Sequence, residues 1–212
     1  MRIDFVSDVA CPWCAVGLNS LERALERIGT SIPIELHFQP FELNPTMATE
    51  GADTVKYLSD KYGISAEQIA KNQAGIRARG AEVGFAFGQR SRVWNTFDAH
   101  RLLYWAESLG EMDKQRALKH ALLQAYHGDS RNPGAHDVLL ELAAQVGLDA
   151  TRAAAILASD EFTAEVRERE QFWQQAGINS VPAIVINQKH LISGGQPVEV
   201  FENALRRIAA EA

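Results

Sequence analysis

Two cysteines separated by two residues, Cys11 and Cys14, are the residues whose type and spacing best suit chemistry in this 212-residue sequence. They enclose Pro12 and Trp13 in the segment SDVACPWCAVGLNSLERALERIG, and the sequence contains no other cysteine. Two thiolates at this spacing either bind a metal ion or form and break a disulfide. The surrounding sequence must decide between these two kinds of site.

A metal site is poorly supported by the other candidate ligands. Structural zinc is usually held by about four Cys or His side chains, and paired His ligands lie about three to five residues apart. None of the histidines have that spacing; they are His37, His100, His120, His127, His136 and His190. We therefore expect no metal site in this chain.

A redox site is favoured by the elements predicted around the cysteines. The segment RIDFVSD alternates weakly between apolar and polar residues and predicts a short strand. Apolar residues at helical spacing follow it before Gly29, which suits a helix end; they are Leu18, Leu21, Leu25 and Ile28. Cys11 then takes the N-cap position, and Pro12 takes the first helical position, where its missing N–H costs nothing.

This placement predicts different roles for the two thiols. An N-cap side chain accepts hydrogen bonds from the backbone N–H groups of the second and third helical residues, and the helix dipole favours an anion there. Both effects should lower the pKa of Cys11 below the free value of about 8.5. Cys14 lies one turn further into the helix and should be more buried and less acidic. We predict that Cys11 attacks a substrate disulfide and that Cys14 resolves the resulting mixed disulfide.

The two ends of the sequence predict one small sheet. PIELHFQPF predicts a second strand, parallel to the first because a helix joins them. AIVIN and HLISGG, joined by NQK, predict a hairpin, and a last helix follows with Pro197 in its first turn. The region 54–176 consists of helical patterns joined by short breaks. We therefore predict an α/β fold with a discontinuous domain, residues 1–53 and 177–212, and a helical insertion subdomain, residues 54–176.

Val181 and Pro182 stand directly before the predicted strand AIVIN. Only about 5–6% of X–Pro bonds in folded proteins are cis, but next to a CxxC on a βαβ unit we expect a cis bond here. Such a bond would expose the backbone of Val181 beside the sulfurs, where an extended substrate could pair with it as an added strand. Trp13 is predicted to offer an exposed apolar contact surface. Asp8 is either a candidate proton acceptor for Cys14 or a residue that closes a loop.

The bulk properties exclude several classes of partner. The formal net charge of −6 and the isoelectric point near 5.5 argue against nucleic acid and against anionic membrane surfaces. No apolar run approaches the roughly 18 residues needed to cross a bilayer. The first residues, MRIDFVSD, lack the features of a secretory leader, so we expect a cytoplasmic protein whose thiols are kept mostly reduced.

Five segments spanning the chain resemble the DsbA-like branch of the thioredoxin superfamily, and within it the FrnE-like group; they are DFVSDVACPWC, PFELNP, NTFDAHRLLYWA, GINSVPAIVIN and LISGGQP. The resemblance implies a thioredoxin-like fold interrupted by a large helical insertion. It implies a protein dithiol–disulfide oxidoreductase or isomerase that acts on protein or small-molecule thiols and disulfides. Cys11 is then the nucleophile, Cys14 the resolving thiol and Pro182 the residue after a cis bond. No bound cofactor is implied, and glutathione is a candidate redox partner or substrate.

The resemblance also implies that Asn95, Thr96 and His100 line a substrate cleft where the helical insertion overhangs the active site. The residue types by themselves indicate equally well that Asn95 or Thr96 is a helix cap and that His100 is a partly buried polar residue.

Two other functions stay open. The same branch contains the kappa-class glutathione transferases and the 2-hydroxychromene-2-carboxylate isomerases, which typically have serine where this chain has Cys11. Cysteine at that position, followed by Cys14, favours disulfide exchange, and glutathione-dependent transfer or small-molecule isomerisation is the alternative. A binding module that uses the Val181–Pro182 edge, with incidental cysteines, is a third hypothesis. The sequence leaves the oligomeric state open.

Overall fold

Both ends of the chain contribute strands to the main sheet of the structure, a computed structural model that describes residues 1–211. The strands are β1 (Arg2–Ser7), β2 (Glu35–Pro40), β3 (Ala52–Asp53), β4 (Arg92–Val93), β5 (Ala183–Ile186) and β6 (His190–Ser193). The helices are α1 (Pro12–Ile28), α2 (Thr54–Tyr62), α3 (Ala66–Glu82), α4 (Phe97–Ser108), α5 (Met112–Leu123), α6 (His136–Gln145), α7 (Ala150–Leu157), α8 (Thr163–Gln175) and α9 (Val198–Ala210).

The four-stranded sheet has the order β2-β1-β5-β6. β1 and β2 are parallel, as predicted, and pair Phe5 with Phe38. β5 runs antiparallel to β1, and β5 and β6 form the predicted hairpin. β1 is a central strand whose residues from Ile3 to Ser7 are all buried. This explains its weak alternation, because a strand covered on both faces does not need a polar side.

Helices cover both faces of the sheet. α1 and α9 pack together on one face, where Leu18, Leu21 and Phe201 join the core formed with Ile3 and Phe5. On the opposite face Val6 packs with Trp173 of α8. Successive strand residues point to opposite faces, so Phe5 and Val6 belong to different layers.

A second apolar core lies among the helices of the middle region. Leu102, Leu122, Tyr126 and Leu139 belong to it, and so does Val9 from the loop that follows β1. Cys11 and Cys14 belong instead to the core under the sheet. The cysteine pair therefore lies where the chain passes from one core to the other, and both cores fix its position.

α7 lies inside the region predicted to be helical, although ATRAAAIL is rich in alanine and has no stripe of large apolar residues. The short antiparallel pair β3–β4 was not predicted, since two residues per strand are too few to show alternation. α5 continues as a π-helical turn over Gln124–Gly128. The division into residues 1–53 with 177–212 and an insertion 54–176 stays a prediction.

Within residues 1–211, no helix combines the length and the apolar character that a bilayer span requires.

Candidate active site

Cys11 and Cys14 lie at the start of α1, directly after the loop that leaves β1. Cys11 is the N-cap residue and Pro12 begins the helix, as predicted. The backbone N–H of Cys14 donates to the carbonyl of Cys11 at 3.0 Å, which closes the first turn. Both residues are free thiols; Cys11 is 4% exposed and Cys14 is fully buried. A substrate can therefore reach the Cys11 thiol first, and the Cys14 thiol lies behind it.

One detail of the predicted cap is wrong. The sulfur of Cys11 accepts no capping hydrogen bond. Its thiol instead donates to the backbone carbonyl of Val181, with an Sγ–O distance of 3.4 Å. The reason is chemical: a protonated thiol is a donor and only a weak acceptor. Once the proton leaves, the sulfur becomes the acceptor that the cap position favours.

The surroundings separate the acidities of the two thiols in the predicted sense. A hydrogen bond from the Cys14 thiol lowers the pKa of Cys11 against the effects of burial and of the Asp8 charge. The backbone N–H groups of Cys14 and Trp13, which cap the sulfur once it is an anion, lower it further. Burial raises the pKa of Cys14 well above its usual value, and its interaction with Cys11 raises it further. The anion is therefore placed on Cys11, and Cys14 stays protonated until it must act.

The low pKa of Cys11 predicts how its alkylation depends on pH. The rate with iodoacetamide should reach half its plateau at a pH below the free-thiol value of about 8.5. Below the Cys11 pKa, the rate should fall about tenfold per pH unit as the thiolate is protonated. Peptide mapping by mass spectrometry after short exposures gives the rate at each cysteine. The same protein unfolded in urea is the control. A Cys11 midpoint at or above that of the unfolded chain contradicts the prediction.

The segment Val181–Pro182 faces the cysteines across the start of α1. Its peptide bond is cis, the isomer expected from the sequence. Gly17 of α1 lies against it: a Cβ atom on Gly17 would lie 2.9 Å from Cγ of Pro182 and 3.2 Å from Cα of Gly195. The absence of a side chain at Gly17 thus lets the Val181–Pro182 segment approach α1 closely.

Replacing Gly17 with alanine should therefore destabilise the protein. The methyl group would overlap the proline ring and displace Val181 from Cys11, at a cost of about 1–3 kcal/mol in the free energy of unfolding. Slower disulfide exchange should accompany the loss. Urea unfolding measures the first effect, and the rate of oxidation by a small disulfide measures the second.

Gly75→Ala in α3 is the matched control, because a Cβ atom there would meet nothing within 4 Å. Alanine in an open helical position should raise the free energy of unfolding by about 0.5–1 kcal/mol. The two substitutions are chemically identical, so opposite signs isolate the contact with Pro182. Equal stabilisation by both would mean that Gly17 does not constrain this segment.

Asp8 stands at the centre of a buried network that joins three of the predicted site residues. Its carboxylate accepts hydrogen bonds from the Thr96 hydroxyl at 2.8 Å and from the backbone N–H groups of Ala10 and Leu43 at 3.0 and 2.7 Å. The His100 ring lies 3.4 Å from the same carboxylate. Although burial alone raises the pKa of Asp8, hydrogen bonding and charge attraction from His100 and the two N–H groups lower it overall. Asp8 is therefore a weak base that shapes the loop before Cys11.

Asn95 takes no part in that network. Its side-chain amide donates to the carbonyl of Met47 at 2.9 Å, and its oxygen accepts from the backbone N–H of Phe97 at 2.9 Å. The second contact satisfies an N–H at the start of α4, so Asn95 acts as a local cap. Its assignment to a substrate cleft stays a prediction.

Pro12 and Trp13, the two residues between the cysteines, have different surroundings. Trp13 is 39% exposed, which agrees with the expected apolar contact surface. Pro12 lies at the edge of a small cleft that also includes Gln73, Arg77 and Arg90. A substrate that reaches Cys11 therefore meets an indole on one side and, on the other, a recess lined by both apolar and cationic side chains.

Lys119 is a site residue that the sequence analysis missed. Its side chain is 1% exposed, and burial lowers its pKa, while the negative charges of Cys14, Asp8 and Cys11 oppose that lowering. Its positive charge in turn lowers the pKa of Cys14. The available signal was its register in α5, on the face that also buries Gln115, Leu118 and Leu122.

Two further side chains, also missed, hold the loop before Cys11. The ring of His127 lies 2.8 Å from the carbonyl of Val9, and Arg90 donates to the carbonyl of Ala10 at 3.0 Å. Burial lowers the pKa of His127 to about 3, so at neutral pH the ring is uncharged and acts as the donor. Both residues are more than 75 positions from their partners, and no local pattern marks them.

In the described part of the chain, no three His, Cys, Asp or Glu side chains are grouped so that they could bind a metal ion.

Comparison with known proteins gives one family. The model of the DsbA-like thioredoxin domain matches residues 2–206. A crystal structure of a probable DsbA oxidoreductase from Streptomyces coelicolor is 36% identical and superposes with a TM-score of 0.92, over 100% of this chain and 91% of that one. These matches confirm the α/β thioredoxin-like fold of the DsbA type predicted from the sequence.

Two more distant structures share the fold. A 2-hydroxychromene-2-carboxylate isomerase is 15% identical with a TM-score of 0.75, over 100% of this chain and 97% of that one. A cytosolic disulfide reductase, DsbM from Pseudomonas aeruginosa with GSH, is 18% identical with a TM-score of 0.66, over 99% of this chain and 100% of that one. At these identities the likeness concerns the fold alone.

Proposed function

The chain belongs to the family of DsbA-like thioredoxin domains, a family of thiol–disulfide oxidoreductases, and we propose that it exchanges disulfides through Cys11 and Cys14, as a member of the FrnE-like group. The observation that carries this proposal is the asymmetry of the pair: the pKa of Cys11 is lowered while that of buried Cys14 is raised. A pair of structural thiols has no need of such a difference.

The proposed reaction has two steps. The Cys11 thiolate attacks one sulfur of the substrate disulfide, whose S–S bond breaks as the bond to Cys11 forms, and one substrate thiolate leaves. Cys14 then loses its proton and attacks the Cys11 sulfur, which releases the second substrate thiol and leaves a Cys11–Cys14 disulfide. The dithiol gives up two electrons and two protons, and the substrate takes them up. The reverse sequence oxidises a substrate dithiol.

The contacts around Cys11 support a role for Val181 in holding the substrate. The Cys11 thiol touches the Val181 carbonyl, so an extended segment that pairs with the backbone at Val181 would bring its own sulfur next to Cys11. Trp13 supplies exposed apolar area on the other side. These features suit a peptide or a small disulfide equally well, and a third substrate thiol that attacks the mixed disulfide would complete an isomerisation.

The direction of exchange depends on the compartment. In the cytoplasm, the location predicted from the sequence, thiols are kept mostly reduced. There the proposed role is to reduce substrate disulfides, and two glutathione molecules would regenerate the dithiol with release of glutathione disulfide. This needs no bound cofactor, because the two sulfurs carry the electrons themselves.

The proposal is tested by mixing the reduced protein with a peptide disulfide and analysing both by mass spectrometry. The protein should lose two hydrogen atoms, Cys11 and Cys14 should both become resistant to alkylation, and an equal amount of peptide dithiol should appear. Titration of the pair against glutathione buffers then gives its reduction potential. A dithiol that stays reduced under these conditions would remove the proposal.

The alternative, glutathione-dependent transfer or small-molecule isomerisation, requires no resolving thiol. Its support is a shared fold with an isomerase of low identity, whereas the buried second cysteine has a role only in disulfide exchange. Turnover of a chromophoric electrophile with glutathione, retained in a Cys14→Ser variant, would favour the alternative.

A further inference from the structure

A small cleft beside Pro12 is lined by two arginines that form no salt bridge with the described residues. It lies between α3 and the segment that precedes β4, and Arg77 and Arg90 are part of its lining together with Gln73 and Phe87. We call it the Arg77–Arg90 cleft. Pro12 directly follows Cys11 in the sequence, so the cleft is lined by the residue next to the reactive cysteine.

The charge of the cleft is unusual for this acidic protein. Across residues 1–211 neither Arg77 nor Arg90 forms a salt bridge, although Arg79 on the same helix pairs with Glu82. Arg90 is fixed in position because it donates to the carbonyl of Ala10. No acidic side chain belongs to the lining, and the buried ring of His127 is uncharged at neutral pH. The recess is thus a local positive site in a chain of net charge −6.

The size and shape of the cleft restrict what it can hold. The cleft is half open to solvent, and its water-accessible space is about 30 Å³, whereas a buried water needs about 10–15 Å³. The space therefore takes about two water-sized groups, which is the size of the two oxygens of a carboxylate. Guanidinium groups bind carboxylates with paired hydrogen bonds. The volume limits the group that enters the cleft, and the rest of the ligand lies outside it.

We propose that the Arg77–Arg90 cleft binds the carboxylate of a small disulfide while one sulfur of that disulfide reacts at Cys11. This inference rests on the disulfide exchange proposed above and names its substrate class. The substrate is a disulfide of two low-molecular-weight thiols, each with a carboxylate a few bonds from sulfur. Cys11 displaces the first thiol, Cys14 displaces the second, and the two protons of the dithiol leave with them.

The test compares two small disulfides that differ in charge. Glutathione disulfide carries carboxylates and 2-hydroxyethyl disulfide carries none. The rate at which each oxidises the reduced protein is followed by mass spectrometry, and the ratio of the two rates is the specificity. Arg77→Gln should lower this ratio about fivefold, the effect of one partly exposed charge pair. Arg77→Lys, which keeps the charge, should recover part of the ratio.

Arg79→Gln is the matched control, since it removes the same charge from the same helix outside the cleft. It should leave the ratio at the wild-type value. An unchanged ratio in Arg77→Gln, or an equal fall in Arg79→Gln, would overturn the inference and leave the proposed function intact. If Arg77→Gln slows oxidation only by an oxidised protein substrate, the cleft binds proteins, and the inference is again overturned. If neither disulfide oxidises the wild-type protein, the proposed function itself fails.

Discussion

A Cys14→Ser variant is expected to remain covalently bound to its substrate through Cys11. The first step needs only the Cys11 thiolate, but release of the mixed disulfide needs a second thiol one turn away, and serine does not supply it. Incubation with a peptide disulfide should convert most of the variant to an adduct whose mass equals the protein plus one peptide half. Overall turnover should fall on the order of a hundredfold or more.

Cys11→Ser is the matched counterpart. It should form no adduct and lose exchange activity to a similar or greater extent, because buried Cys14 has a raised pKa and cannot replace the nucleophile. Since the chain has only these two cysteines, the site of any adduct is unambiguous. Serine at the fully buried position 14 leaves a hydroxyl to be satisfied, at a cost of about 1–3 kcal/mol. Cys14→Ala, which has no polar group, guards against a folding defect.

An adduct on Cys14 in the Cys11→Ser variant, or no adduct in either variant, would contradict the assigned roles. The same pair of variants separates disulfide exchange from the alternative chemistry. A glutathione-dependent transferase loses nothing when Cys14 is removed, whereas an oxidoreductase stalls with its substrate attached.

The parts of the site that could be predicted from the sequence are the local ones. The N-cap position of Cys11 and the burial of Cys14 follow from one turn of helix, because Pro12 and the preceding strand fix where that helix begins. The hairpin follows from two short apolar patterns joined by a tight turn, and the parallel pairing of β1 and β2 follows from the right-handed crossover that a strand–helix–strand unit makes. These features depend on neighbours in the sequence.

The parts that could not be predicted depend on residues brought together by the helical region. Asp8 could be singled out by its closeness to Cys11, but its low pKa arises chiefly from His100, with contributions from the backbone N–H groups of Ala10 and Leu43. His100 and Leu43 lie 92 and 35 positions away in the sequence. A carboxylate with four donors is a poor proton acceptor, and a lone aspartate in a sequence gives no sign of this. Of the two roles that the sequence left open for Asp8, its contacts support closure of the loop before Cys11 rather than acceptance of the Cys14 proton.

Lys119 is the clearest case, because a lysine in a helix is normally read as a solvent-exposed residue. Only its register on the buried face of α5 distinguishes it from Lys114, which is half-buried and pairs with Glu111. Within the described residues Lys119 has no ion-pair partner, and burial lowers its pKa, so a charge held there costs stability. Such a cost is understandable if the charge acts on a neighbouring group, and the neighbour it affects is Cys14.

Lys119→Met is accordingly expected to make the protein more stable and slower at one step. Loss of the buried charge should raise the free energy of unfolding of the reduced protein by about 1–2 kcal/mol, since methionine fills the same space without a desolvation cost. The pKa of Cys14 should rise further, so less thiolate is present to resolve the mixed disulfide. A more basic thiolate is a better nucleophile, which recovers part of the loss, and we expect resolution to slow about tenfold.

Acid-quenched single turnovers, analysed by mass spectrometry, separate the attack of Cys11 from the resolution by Cys14, and urea unfolding gives the stability. Lys114→Met removes the same charge from the surface of the same helix and should change neither quantity by more than about 0.5 kcal/mol. If Lys119→Met slows both steps equally, the residue supports the site only by packing. If it destabilises the protein and leaves resolution unchanged, the lysine does not act on Cys14. A higher free energy of unfolding together with slower resolution is the combination that only an electrostatic role produces, because packing defects lower stability and activity together.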